Sequence, residues 1–341
     1  MKKISVEQFE ELLLSGSPLI DVRAPVEFSE GHIPGAVNLP IISDEERHQI
    51  GTVYKQRGKE AAVSLGHELV SGDIKQSRIR AWLEFLEQNK NAVVYCFRGG
   101  LRSQTTVQWL ADAGFDVPLV VGGYKALRQF LISRTNELCE KLEFEVVSGP
   151  TGSGKTEYLR RSRRPVLDLE DLAKHRGSAF GAMEENQPTQ VDFENRLAVE
   201  LLRLQHTNIP ILIENESRMI GKCAVPDSLY FKMKGSPRLI LHIETAQRVE
   251  NILQDYLVHS RLTSQGDFSR FDDFRNAVKA ISKKLGGLRS QEILADIDEA
   301  ERTYRLSGDL SPNRIWIEKL LHWYYDPLYK HATDKWWSKQ S

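Results

Sequence analysis

Residues 144–156 constrain the fold more than any other stretch of the chain. Phe144-Glu145-Val146-Val147-Ser148 reads as a buried strand, and Gly149-Pro150-Thr151-Gly152-Ser153-Gly154-Lys155-Thr156 fills every fixed position of a phosphate-binding loop, or P-loop. The chemistry needs this order. Glycines open backbone N–H groups to phosphate oxygens, the following helix adds its positive N-terminus, Lys155 brings a mobile charge, and Thr156 can reach magnesium. A strand–loop–helix unit of this kind belongs in a parallel sheet with helices on both faces. Further strands are expected at Pro165–Leu169, Ile209–Glu214 and Arg238–Ile243, with helical stretches between them.

Nucleotide hydrolysis would call for a second acid at the end of a neighbouring strand. Asp168 ends one strand, and Glu214 and Glu216 end or follow another, but no Asp clearly fills the role. Such a loop will also hold a diphosphate ester that carries no base. Basic residues gather nearby: Arg160, Arg161, Arg163 and Arg164 after the loop, His175 and Arg176 opening a compact Gly/Ser segment to Gly181, and Arg218. Each is either a diphosphate or RNA contact or part of a solvated face. The same two readings hold for Arg261–Arg289, which carries seven basic residues. Trp316, Trp323, Trp336 and Trp337 fall near the C-terminus. They could stack bases or line an apolar tail pocket, although core packing explains Trp316 and Trp323 at least as well.

A second anion loop lies upstream. Cys96-Phe97-Arg98-Gly99-Gly100-Leu101-Arg102-Ser103 follows the apolar run Ala92–Tyr95 and precedes the helical pattern Ser103–Gly114. The thiol therefore sits at a helix N-terminus, beside two arginines and a glycine pair that lets the backbone curl around an oxyanion. Each of these favours the nucleophilic thiolate. One loop is suited to carrying a reactive group on sulfur, the other to holding a di- or triphosphate. A chain with both moves a group between activated small molecules and an acceptor.

At 341 residues the chain divides by default into two domains; basic and acidic side chains balance within each half (17 against 19 over residues 1–143), so neither is a polycation. An α/β segment over residues 1–135, with a polar helical insertion at about 43–89, is expected to precede the P-loop domain over 136–341. Tyr124–Leu142 would be a connecting helix. Three scattered cysteines, no secretory signal and no apolar run of membrane length fit a reducing cytoplasm.

The first segment resembles a rhodanese-type domain in Leu19-Ile20-Asp21-Val22-Arg23, Glu27-Phe28, Gly31-His32-Ile33-Pro34-Gly35-Ala36-Val37-Asn38-Leu39-Pro40 and Gly122-Gly123-Tyr124. In such domains the active cysteine carries a sulfur or selenium atom. Five residues separate Cys96 from Arg102 where many sulfurtransferases have four. Cysteine phosphatases share the wider spacing, but they place His where this chain has Tyr95, so a phosphatase is the second reading of that loop.

As a whole the chain resembles the bacterial tRNA 2-selenouridine synthase family, a rhodanese-like domain fused to a P-loop NTPase-like parallel-sheet domain. Beyond the two loops, the likeness rests on Glu46-Arg47, Gly51, Tyr54, Ala62 and Leu65-Gly66. In the second half it rests on Asp168-Leu169-Glu170, His175–Gly181, Glu214–Arg218, Gly221 and Leu285-Gly286-Gly287. The resemblance implies that geranyl passes from geranyl diphosphate to the sulfur of wobble 2-thiouridine in tRNA, and that selenium from selenophosphate then replaces the geranylthio group. Cys96 would be the selenium carrier, with Arg98, Gly99, Gly100, Arg102 and Ser103 binding selenophosphate. Gly149, Gly152, Ser153, Gly154, Lys155 and Thr156 would hold the diphosphate, with magnesium reached through Thr156. ATP is not required, and a selenophosphate-making enzyme is an implied partner. The residues also admit a P-loop kinase or ATPase with a regulatory rhodanese domain, a plain sulfurtransferase, or a tRNA-binding module without catalysis.

Overall fold

The structure, a computed structural model, describes residues 2–176, 186–258 and 268–337, with side chains to His331. Gly177–Gly181, Arg261–Asp267 and the side chains of Trp336 and Trp337, all singled out in the sequence, lie outside the described residues. The chain forms two compact units. One gathers Met1–Leu142, Pro188–Thr207 and Lys222–Tyr230; the other gathers Glu143–Gln187, Asn208–Gly221 and Phe231–Ser341.

The first unit is built on a parallel five-stranded sheet of β1 (Lys3–Ile4), β2 (Leu19–Asp21), β3 (Ala36–Asn38), β4 (Val93–Tyr95) and β5 (Leu119–Val120), in the order β1-β5-β4-β2-β3. Ile20 pairs with both Val37 and Val94 at the centre. Helices α1 (Phe9–Leu14), α2 (Pro25–Ser29), α5 (Leu101–Asp112) and α6 (Gly123–Lys141) complete the α/β layers. The expected insertion is α3 (Asp44–Leu69) and α4 (Gly72–Gln88). A reciprocal cap starts α3: Glu46 N–H donates to Ser43 Oγ at 3.2 Å, and Ser43 N–H to Glu46 Oε2 at 2.6 Å. Trp82 of α4 is buried with Ile20, Val94 and Leu110, and its indole N–H reaches Leu39 O at 2.9 Å.

The boundary expected at residue 136 falls inside α6, and the first unit then takes back two later segments. Apolar burial and polar ties explain the larger return. Helix α9 (Gln190–Leu204) buries Phe193, Leu197 and Leu201 and packs on α6, which buries Leu127, Leu131 and Leu138. Asp192 Oδ1 accepts from His32 N–H at 2.8 Å, Asn195 Nδ2 donates to His32 O at 2.7 Å, and Arg128 donates to Asn195 Oδ1 at 2.9 Å. Five passages of the chain join the units, so α6 is not a lone connector.

The second unit carries a parallel sheet of β6 (Phe144–Ser148), β7 (Val166–Leu167), β8 (Ile211–Glu214) and β11 (Arg238–Ile240), in the order β11-β6-β8-β7. Two short strands, β9 (Met219–Ile220) and β10 (Cys223–Ala224), intervene in sequence. Helices α7 (Lys155–Arg161), α8 (Leu169–Ala173) and α10 (Asp227–Gly235) follow strands. A helical layer then runs from α11 (Thr245–Leu253) through a π-helical turn at Gln254–Val258 to α12 (Ser269–Leu285), α13 (Gly287–Ser307) and α14 (Asn313–Leu320). A second π-helical turn at Leu321–Tyr325 leads into α15 (Asp326–Trp337). Phe271, Phe274, Ile293, Ile297, Trp316 and Leu320 form its core, with Trp323 packed at the edge. Trp316 and Trp323 are thus packing residues, and the Trp316 indole N–H is satisfied by Asn313 Oδ1 at 2.8 Å.

Candidate functional site

Cys96 follows β4 and is almost fully buried, with its Sγ 3.2 Å from Ser103 Oγ. That hydroxyl donates to Gly100 O at 3.1 Å, which leaves its oxygen turned to the thiol. Two glycines make the loop possible. Gly99 has φ +65°, and a Cβ there would lie 2.7 Å from Val120 O; at Gly123, φ +59°, it would lie 2.2 Å from Cys96 O. Tyr124 N–H and Lys125 N–H pin the loop from α6, donating to Cys96 O at 2.8 Å and Phe97 O at 3.0 Å. Helix α5 begins at Leu101, so its N-terminus opens on this loop. Arg102 grips Glu27 with both prongs, at 2.5 and 3.1 Å, and Arg47 of the insertion stands 3.4 Å from the same carboxylate. Arg98 is exposed, its guanidinium 5.7 Å from the centre of the Phe97 ring.

The P-loop joins β6 to α7. A Cβ on Gly149 would fall 2.3 Å from Ser153 Oγ, and one on Gly152 (φ +81°) would fall 2.7 Å from Arg248 O. Helix α11 holds the loop from outside: Arg248 Nε donates to Thr151 O and Asn251 Nδ2 to Gly152 O, both at 2.9 Å. Arg248 is in turn gripped by Asp326 of α15 at 2.6 and 3.2 Å. Lys155 Nζ donates to Gly149 O at 3.0 Å, and Thr156 Oγ1 to Glu170 Oε2 at 3.1 Å. These residues open on a cleft of about 450 Å³ that Arg160, Asp168, Arg176, Glu216 and Lys234 also line.

Comparison with known proteins decides the family. Residues 142–340 match the tRNA 2-selenouridine synthase AAA domain, and residues 5–129 match the rhodanese-like domain. A Bdellovibrio bacteriovorus protein named tRNA 2-selenouridine synthase is 48% identical over 98% of this chain and 94% of its own. One from Nitrosomonas europaea with the same name is 47% identical over 96% of this chain and 91% of its own. A third, from Pseudomonas syringae pv. syringae, is 45% identical over 96% and 91%. The chain belongs to the tRNA 2-selenouridine synthase family. Both anion loops of this family member lie within the matched domains.

Electrostatics in the second loop centre on buried acids. Burial, and then the charge of Asp168, raises Glu214 well above the usual carboxylate range, while its Oε2 accepts from Leu169 N–H at 3.0 Å. Burial also raises Glu170, against the pull of Lys155. Glu216 is raised to about 7 by burial and the neighbouring Glu170. Burial lowers Lys155, with Glu216, Glu170 and Glu214 opposing it. In the first loop, burial pushes Glu27 up, but the Arg102 guanidinium outweighs it and holds the carboxyl below its ordinary value.

The other expected site residues divide. Arg160 and Arg176 line the cleft; Arg176 donates to Asp255 O at 2.7 Å and lies 5.0 Å over the Tyr256 ring. Arg164 instead pairs with Glu145 at 2.5 Å and donates to Pro210 O at 2.8 Å, within the fold. Arg161 pairs with Glu157 one turn away on α7, while Arg163 and Arg218 are exposed. Burial lowers His175. Asp168 caps α8, accepting from Asp171 N–H at 2.8 Å. Sequence reasoning missed Glu170, Arg248, Asp326 and Glu27 as parts of the sites. Glu170, two residues beyond Asp168, had a visible signal. The Arg248–Asp326 tie spans 78 residues and had none.

Proposed function

We propose that this chain makes 2-selenouridine in tRNA by two transfers, one at each anion loop. The supporting observation is that a Cys96 loop and a Lys155 P-loop are both fully formed in one chain whose relatives carry the synthase name. In the first transfer the sulfur of wobble 2-thiouridine attacks C1 of geranyl diphosphate, the C–O bond breaks, and the ring N–H beside the sulfur gives up its proton to solvent. The diphosphate departs into the P-loop, where Gly149, Gly152, Ser153, Gly154, Lys155 and Thr156 take up its charge. S-alkylation turns a poor leaving group into a better one.

In the second transfer the selenium of selenophosphate, gathered beside Cys96 with Arg98 and the loop amides on its phosphate, attacks C2 of the geranylated base; the C2–S bond breaks, geranylthiol leaves, and water cleaves the Se–P bond to release phosphate. Selenium stays at the selenide level, so Cys96 carries it without a Cys–Se bond, as the thiol beside which it is held. Overall, selenophosphate, water and the geranylated base give 2-selenouridine, geranylthiol and phosphate, with no external oxidant. Arg102 would join the anion site by exchanging its Glu27 contact. Among the described residues no cluster of three or more acidic, His or Cys side chains is arranged for a metal ion. Magnesium would therefore sit mainly on the diphosphate, with Thr156 and Glu170 at its edge, and would shield the leaving charge. No helix among the described residues is long and apolar enough to cross a membrane. We place the enzyme in the cytoplasm, supplied by a selenophosphate-making partner.

Mass spectrometry of wobble nucleosides tests the scheme. Incubation of 2-thiouridine tRNA with geranyl diphosphate, then selenophosphate, should add the geranyl mass and then exchange it for selenium. Lys155→Ala should abolish the first change and Cys96→Ser the second. Normal geranylation by Lys155→Ala, or normal selenation by Cys96→Ser, would remove that residue from its role.

A further inference from the structure

The P-loop cleft does not end at the phosphate cradle. Thr151, Ile252, Tyr256 and Tyr325 line both the cleft and a second, smaller recess of about 20 Å³. Its remaining walls are apolar and come from the helical layer, with Phe274, Trp316 and Leu320 among them. Among the described residues no charged side chain lines it. The two π-helical turns, Gln254–Val258 and Leu321–Tyr325, supply Tyr256 and Tyr325 at the shared rim. Such turns are rare and concentrate at functional sites.

The recess is too small and too apolar for a base, and the donors and acceptors of the cleft, such as Asn215, Ser217 and Asp255, lie outside it. An apolar dimple reached from a phosphate loop matches a hydrocarbon chain esterified to a diphosphate, the head on Lys155 and the tail turned toward α11 and α14. We propose that the recess is the tail-end subsite of the P-loop cleft, receiving the far end of a prenyl diphosphate whose nearer carbons lie against Ile252, Tyr256 and Tyr325. This rests on the diphosphate reading of the P-loop given above. The recess holds little more than a water-sized group, so it limits tail length.

Calorimetric binding of inorganic pyrophosphate, geranyl diphosphate and farnesyl diphosphate to the full chain separates the two ideas. Wild-type protein should bind geranyl diphosphate at least tenfold more tightly than pyrophosphate, and more tightly than farnesyl diphosphate. Leu320→Trp, which fills the recess, should cut geranyl diphosphate affinity about tenfold and leave pyrophosphate unchanged. Leu320→Ala should move the preference toward the longer tail. Equal affinities for pyrophosphate and geranyl diphosphate, or an unchanged ratio in Leu320→Trp, would overturn the subsite while leaving the diphosphate reading intact. Failure of all three ligands to bind wild-type protein would overturn that reading and the subsite with it. Because Leu320 is a core residue, wild-type protein should also be photolabelled with geranyl diphosphate bearing a terminal diazirine. Label within Ile252–Tyr256 or Trp316–Tyr325 supports the subsite, and label confined elsewhere refutes it.

Discussion

Glu216→Gln offers a direct reading of the buried charge beneath the P-loop. Glu216 is 8% exposed, and burial with the adjacent Glu170 raises it from 4.5 to about 7. Below about pH 4.5 the carboxyl is protonated in folded and unfolded chains alike, so its contribution to stability is intact. As pH rises toward 7 the unfolded chain releases the proton and the folded chain keeps it. Stability should then fall by about 1.4 kcal/mol per pH unit. Above the folded value the loss is complete, at about 3 kcal/mol for a rise of this size. Glutamine keeps the shape and does not titrate. The variant should therefore differ little from wild type at pH 5 and exceed it by about 2–3 kcal/mol at pH 8. Glu170 and Lys155 feel the Glu216 charge, so their titration shifts in the variant too, and the difference reports the coupled group. Urea unfolding followed by tryptophan fluorescence at each pH measures that difference. Parallel stability curves for the two proteins between pH 5 and pH 8 would refute the reasoning.

Three further outcomes follow from single contacts. Gly123→Ala places a Cβ 2.2 Å from Cys96 O at φ +59°, so it should cost well over about 1 kcal/mol and abolish selenation, while geranylation in the same nucleoside assay persists. Asp326→Asn leaves Arg248 buried without its ionic partner. Because Asp326 is 37% exposed the loss should be about 2 kcal/mol in denaturant unfolding, with several-fold weaker pyrophosphate binding as the Thr151 tether loosens. Glu27→Gln removes the carboxylate that Arg102 and Arg47 share, and should destabilise the chain by about 1–3 kcal/mol at pH 7. In wild type that contribution exists above the ordinary carboxylate range and disappears as pH falls through the lowered Glu27 value, so an acid titration of both proteins should converge.

Strands that feed a loop were the legible part of this chain. The Phe144–Ser148 and Ala92–Cys96 runs end in glycine-rich turns, and β6 (Phe144–Ser148) and β4 (Val93–Tyr95) lie within them. Strands β1 and β3, two and three residues long, are too short to show a period. The helix pattern of Gln190–Leu204 announces an apolar face but not its partner, so its packing on α6 in the first unit could not be read along the chain. The same limit hid half of each site. Cys96 lies beside Ser103 of its own loop and Lys155 donates to Gly149 of its own loop, so both candidates could be picked out by spacing. Their supports (Glu27 for Arg102, Arg248 and Asp326 for the P-loop) lie far away in sequence and depend on tertiary packing.

The supports also bear on which chemistry the second loop favours. A hydrolytic P-loop profits from an ionised acid that holds metal and orients water. Here burial raises Glu170, Glu214 and Glu216 and lowers Lys155, although a magnesium ion beside Thr156 and Glu170 would draw the carboxyls back toward the ionised form. A carboxyl raised to about 7 exchanges its proton near neutrality, so it can donate a hydrogen bond to a diphosphate oxygen as well as repel one. Proton uptake at Glu216 on binding would remove a like charge from the anion site. Diphosphate affinity should therefore strengthen as pH falls through 7, and the Glu216→Gln variant should lose that dependence. On the proposed reading a prenyl ester needs no activated water, and its leaving group would bring to this cleft the charge that Glu216 senses.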